Sequence, residues 1–142
     1  MTAACREACC SVTPRFTVAE LFERGFRRNR ATPFDMEGSV VADAEGNYAR
    51  FSLAIERSRL TGLSFRVSSC TTLIAYSEAL AELLHGLDAG LAAQFTPQEL
   101  VAALPGVPAL KQGRAVLAVA ALRAALVAAE TNSIAHQGGA DR

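Results

Sequence analysis

Two segments decide the fold: Arg50-Phe51-Ser52-Leu53-Ala54-Ile55-Glu56, and Leu63-Ser64-Phe65-Arg66-Val67-Ser68 running directly into Ser69-Cys70-Thr71-Thr72-Leu73-Ile74-Ala75-Tyr76. In each of the first two runs, apolar and polar residues alternate, so Phe51, Leu53 and Ile55 share one face and Leu63, Phe65 and Val67 another. That is the pattern of paired strands with one buried side, and residues 57–62 between them suit a hairpin turn. Beyond Cys70 the period changes. Leu73, Tyr76, Leu80, Leu83 and Leu84 fall on one side of a helix that Gly86 can stop. Ser39-Val40-Val41-Ala42 adds a third strand on the other side of the hairpin.

Around this centre the helix punctuation is explicit. Phe16-Thr17-Val18-Ala19-Glu20-Leu21 combines a capping box, Thr17 with Glu20, and a hydrophobic staple of Phe16 on Leu21. The helix it starts should run to about Arg28, with Leu21, Phe22 and Phe26 inward and Arg24, Arg27 and Arg28 outward. Phe95-Thr96-Pro97-Gln98-Glu99-Leu100 repeats the logic with proline at the first helical position, predicting a short helix to Leu104. Pro108 then opens a final helix that is apolar nearly all round over residues 115–129 and so needs cover on more than one side. The expected fold is α+β: a small three-stranded antiparallel sheet packed on one face against helices. The expected organisation is a leader over residues 1–15, one domain over 16–130, and a disordered tail over 131–142.

Composition narrows the partners. Of 142 residues, 51% are hydrophobic, and 14 Lys and Arg balance 14 Asp and Glu. No global field therefore favours nucleic acid or anionic lipid, and Arg24, Arg27, Arg28 and Arg30 read as a solvated helix face. The 115–129 run is shorter than the roughly 20 residues of a bilayer span and contains Arg123, so no membrane partner is expected. The N-terminal segment lacks the apolar stretch of a signal peptide, which points to a cytoplasmic, reducing setting. Cys5, Cys9 and Cys10 crowd one terminus away from Cys70, unlike a disulfide framework, and have no zinc-finger spacing. No Ser-His-Asp arrangement, carboxylate pair or phosphate-cradling glycine loop appears, so a turnover enzyme is not expected.

Cys70 carries the chemistry. It stands where extended chain becomes helix, and the unsatisfied amides and dipole of a helix start favour a thiolate, suiting it to be a nucleophile or soft-metal ligand. The alternative is a small buried hydrophobe, a common fate of free cysteine. His85 reads as a helix C-cap.

The run from Ser64 through Cys70 to His85-Gly86 resembles the second cysteine motif of the NifU/IscU-type iron-sulfur cluster scaffold family. The similarity continues through Leu104-Pro105-Gly106-Val107, Lys111 and Ala121-Leu122-Arg123-Ala124-Ala125-Leu126. The resemblance implies a scaffold that holds iron or a nascent [2Fe-2S] cluster, receives sulfur from a cysteine desulfurase and passes the cluster to recipient apo-proteins. Of the three family cysteines this chain keeps Cys70. Glu45 stands near the first, Asn47 near the usual neighbouring aspartate, and Arg114 near the third. Cys70 and Glu45 are thus the implied metal ligands. A second Cys70 from a homodimer, or the leader cysteines, could complete the set. Arg114 also fits another role, steadying the Cys70 thiolate or a persulfide on it, as in a sulfur acceptor. A third reading is a protein-binding module that has lost its metal.

Overall fold

The computed structural model describes the backbone of residues 16–140 and the side chains of residues 16–131. The leader and its Cys5, Cys9 and Cys10 lie outside the described residues, as does the side chain of His136.

The elements, in order, are α1 (Val18–Arg28), β1 (Met36–Glu37), β2 (Val41–Ala42), β3 (Tyr48–Glu56), β4 (Arg59–Val67), α2 (Thr71–Leu84), α3 (Ala89–Ala92), α4 (Pro97–Ala103), a 3-10 turn (Ala109–Lys111) and α5 (Arg114–Ala140). The sheet is antiparallel and has four strands. β3 is its centre: β4 pairs along one edge, and β1 and β2 follow one another along the other. The third strand expected at residues 39–42 is therefore two short pieces, separated at Gly38-Ser39-Val40. A Cβ on Gly38 would collide with the α5 backbone at Ala124 and Ala125, so the helix crosses the sheet where the strand is interrupted.

The hairpin is tighter than residues 57–62 suggested. Its turn is Arg57-Ser58, with φ of 53° and 67°, and β4 begins at Arg59. Positive φ at both central residues is the signature of a type I′ turn, whose twist matches the flanking strands. A bulge between Ala54 and Ile55 shifts the register near Thr61. One sheet face sends Phe51, Leu53, Phe65 and Val67 into the core, with Phe51 and Phe65 rings 5.7 Å apart.

Helix α2 is central rather than amphipathic: 11 of its 14 residues are buried, between α1, α5 and the sheet. The capping boxes of α1 and α4 form as the sequence predicts. Along α1, however, Leu21 and Gly25 make the buried seam and Phe26 is 45% exposed, contrary to the inward place expected for it. A Cβ on Gly25 would stand 2.7 Å from Ile74 Cγ2, so glycine lets the two helices touch. Arg28, expected outward, turns in: its Nε donates to Glu78 Oε1 at 2.6 Å and its Nη1 to the Leu63 carbonyl at 3.1 Å. Asn29 donates to the Val67 carbonyl and accepts from the Val67 amide, closing the outer edge of β4.

Pro108 opens the 3-10 turn, and α5 starts six residues later at Arg114. The backbone of α5 is helical through Ala140, into the segment expected to be a tail. Residues 109–131 are long and apolar enough to cross a bilayer, which removes the length argument built on 115–129; half of that stretch is buried inside the fold. Ala115, Ala118, Ala121, Leu122 and Ala125 form its covered side.

Candidate functional site

The strands and helices converge at one end of the molecule, where β2 turns into β3, β4 hands over to α2, and α5 begins. An open recess of ≈ 570 Å³ lies there, lined by Glu45, Asn47, Ser69, Cys70, Thr71, Thr72, Lys111 and Arg114. The three positions singled out in the sequence, 45, 70 and 114, thus share one cavity although they come from three parts of the chain.

Each is held for a local reason. Glu45 rides on the β2–β3 turn, in which Asp43 Oδ1 accepts from the Glu45 and Asn47 amides, both at 2.9 Å, and Gly46 takes a φ of 91°. Cys70 is the N-cap of α2, in extended conformation, and its carbonyl accepts from the Ile74 amide at 2.9 Å. Arg114 is the first residue of α5. Its Nη1 donates to Glu45 Oε1 at 2.7 Å, tying together residues 69 apart in sequence. The arginine side chain is 11% exposed and the glutamate 67%, so this ion pair has one wet partner.

The cysteine is a free, half-buried thiol. Partial burial pushes its pKa up, but the Leu73 amide, the Arg114 guanidinium and the Thr72 amide outweigh that and hold it below the ordinary thiol value. No full-geometry cap bond forms between sulfur and amide, so the amides act mainly through their field. Arg114 is raised by hydrogen bonding to Cys70 first and to Glu45 second. The guanidinium therefore holds the Glu45 carboxylate and favours the anionic form of Cys70. Its Nε is buried without a hydrogen-bond partner.

The family resemblance pointed to Cys70, Glu45, Asn47 and Arg114, which the structure brings to this place; it did not put Lys111, Ser69, Thr71 or Thr72 in the recess. Among the described residues no group of three or more His, Cys, Asp or Glu stands together as a metal site. Cluster irons are bound mainly by thiolates, usually four. One recess, with one thiol and a carboxylate already engaged by arginine, does not fit a closed cluster.

A small α+β domain that presents, among its described residues, one thiol at a strand-to-helix junction defines the class. Comparison with known proteins then gives the family. Residues 17–134 match the NifU-like N terminal domain, and the chain belongs to that family. The nitrogen fixation protein NifU of Cereibacter sphaeroides is 35% identical over 96 residues, which cover 68% of this chain and 39% of that protein, so the match spans well under half of the relative's length. The fold is similar to the N-terminal nitrogen-fixing NifU-like protein of Brucella abortus, with a TM-score of 0.51 and 17% identity over 71% of this chain and 82% of that one. It is equally similar to a SUF-system iron-sulfur cluster assembly scaffold protein of Fervidobacterium islandicum, with a TM-score of 0.51 and 11% identity over 73% and 94% of the two chains.

Proposed function

We propose that this chain is a scaffold-type module of iron-sulfur cluster assembly in which Cys70 is the thiolate that holds the cargo. Family membership supports the assembly role, and the convergence of residues 45, 70 and 114 on one open recess is the observation that carries the choice of site. The cluster, or the iron and sulfur that make it, is a substrate in transit. The module has no turnover chemistry of its own: it receives sulfur from a cysteine desulfurase and releases cargo to recipient apo-proteins. Because its working group is a free thiol, a reducing cytoplasmic setting suits it.

The residues divide the work. The start of α2 supplies amides and dipole that favour the charged sulfur, and Arg114 compensates negative charge as cargo arrives. Glu45 holds Arg114 at the recess and becomes a ligand only by leaving it. With one thiol per recess, a [2Fe-2S] cluster needs thiolates from elsewhere, and a second copy contributing its own Cys70 is the simplest source. Anaerobic reconstitution with ferrous iron, cysteine and a cysteine desulfurase, which supplies sulfur as persulfide, tests this reading. Wild type should develop visible charge-transfer absorption that Cys70→Ala lacks; equal absorption from both would end it.

The contact between Arg114 and Cys70 favours a second reading, in which Cys70 accepts sulfur as a persulfide. Mass spectrometry after exposure to a cysteine desulfurase should find one added sulfur on Cys70 and none in Cys70→Ala.

A further inference from the structure

We infer that Arg114 is the resident cation of the recess and imposes an order of loading: Cys70 takes anionic sulfur first and admits a divalent metal only afterwards. The inference rests on Cys70 being the cargo thiolate and concerns what that thiolate can accept.

The geometry leads there directly. A metal bound by both Cys70 and Glu45 has to lie between them, and in this structure the Arg114 guanidinium, 2.7 Å from Glu45 Oε1, lines the same recess as the sulfur and favours its anion. The ammonium of Lys111 lines the same recess. An incoming Fe²⁺ meets two like charges and competes for two anions already neutralised. Repulsion between charges at contact range is felt even in water-exposed positions. The side chain cannot simply swing away at no cost, because it is largely covered and tied to the β2–β3 turn. Arginine also stays charged at any working pH, so the barrier is permanent.

Sulfur arriving as a persulfide finds the opposite situation. The Cys70 thiolate attacks the outer sulfur of a donor persulfide, the new S–S bond forms as the donor's S–S bond breaks, and the donor leaves as its thiolate. Electrons balance without an external oxidant. The proton on the transferred sulfur passes to water or to the departing thiolate, leaving a terminal anion that Arg114 and Lys111 can accept. That terminal sulfur stands further out than Sγ and offers iron a ligand beyond the guanidinium. It also gives Arg114 a new partner, which frees Glu45 to turn to the metal.

Cobalt(II), whose thiolate complexes absorb in the near ultraviolet and visible, is the probe. It is titrated anaerobically into the full chain and into Arg114→Gln, Arg114→Lys, Cys70→Ala and Arg114→Gln/Cys70→Ala, so that signal from the other cysteines is subtracted. Wild type and Arg114→Lys should show no Cys70-dependent sulfur-to-cobalt band. Arg114→Gln should gain one, with binding about tenfold tighter or more, as removal of one like charge at contact range allows. Wild type treated first with a low-molecular-mass persulfide donor, and carrying one added sulfur on Cys70 by mass, should gain the band without any substitution. A Cys70-dependent band in untreated wild type, matching that of Arg114→Gln, would overturn the inference, and this arm needs no variant to fold. The reading of Cys70 as cargo thiolate fails separately, if iron and a persulfide donor supplied together give no absorption that depends on Cys70.

Discussion

At the scale of single residues, the property that matters is the charge state of one sulfur. Cys70 is held below the ordinary thiol pKa against the effect of its partial burial, so its thiolate fraction near neutrality exceeds that of a free cysteine. Alkylation with iodoacetamide, followed against pH, should therefore give a midpoint for Cys70 below that of a small-molecule thiol. Arg114→Gln should move the midpoint up, because it removes a group that favours the anion, while Glu45→Gln should leave it low. Of the three residues of this site, Cys70 was legible locally, because the change from strand to helix period marks it, whereas Glu45 and Arg114 were reached only through the family resemblance. Lys111 was placed by neither, since nothing local to a 3-10 turn says which way its side chain faces. Phe26 was misplaced for a related reason: hydrophobic spacing assigns large side chains to the seam, whereas Gly25 lets the α1 backbone itself lie on Ile74 and turns Phe26 outward.

Between elements, the α1–α2 contact is closed by the Arg28–Glu78 pair. Glu78 is 1% exposed and Arg28 about one-third exposed. Removing one member of a buried pair leaves the other charged in a dry place, at a cost of several kcal/mol. Arg28→Ala should thus cost about 3 kcal/mol, near the low end because water reaches the arginine, and chemical denaturation midpoints would report it. Long-range pairs of this kind leave no trace in local sequence, and Arg28 reads there as one more solvated cation. The hairpin was half legible. Its core alternation is plain over Phe51, Leu53, Phe65 and Val67, but Arg57-Ser58 lacks the Asn-Gly or Asp-Gly signal of a type I′ turn. The bulge opposite Ala54 and Ile55 then breaks the alternation, so Leu60 and Leu63 are both buried three residues apart and the strand start is hidden.

Across the whole molecule, α5 is the spine: it packs on β1, β2 and β3, on α2 and on α4, and its first residue belongs to the recess. Gly38 is where sheet and spine come closest. Gly38→Ala should be among the most disruptive single-methyl additions, costing about 3 kcal/mol, because the clash is with helix backbone that cannot change rotamer. A lower thermal midpoint, with the near-ultraviolet signal of the Tyr and Phe side chains altered, would show it. The fold class and most helices could be read from capping boxes and periodicity, but the interrupted strand could not, since it depends on Ala124 and Ala125 of a helix far later in the chain.

The Arg57-Ser58 turn lies at the other end of the nine-residue strands from Cys70, about 25 Å away along the hairpin. Both of its central residues adopt left-handed backbone that asparagine and glycine accept more readily. A fluorophore, affinity handle or immobilising linker joined there would leave the cargo end facing solution, which makes this reverse turn the natural attachment point for watching delivery and release on a surface.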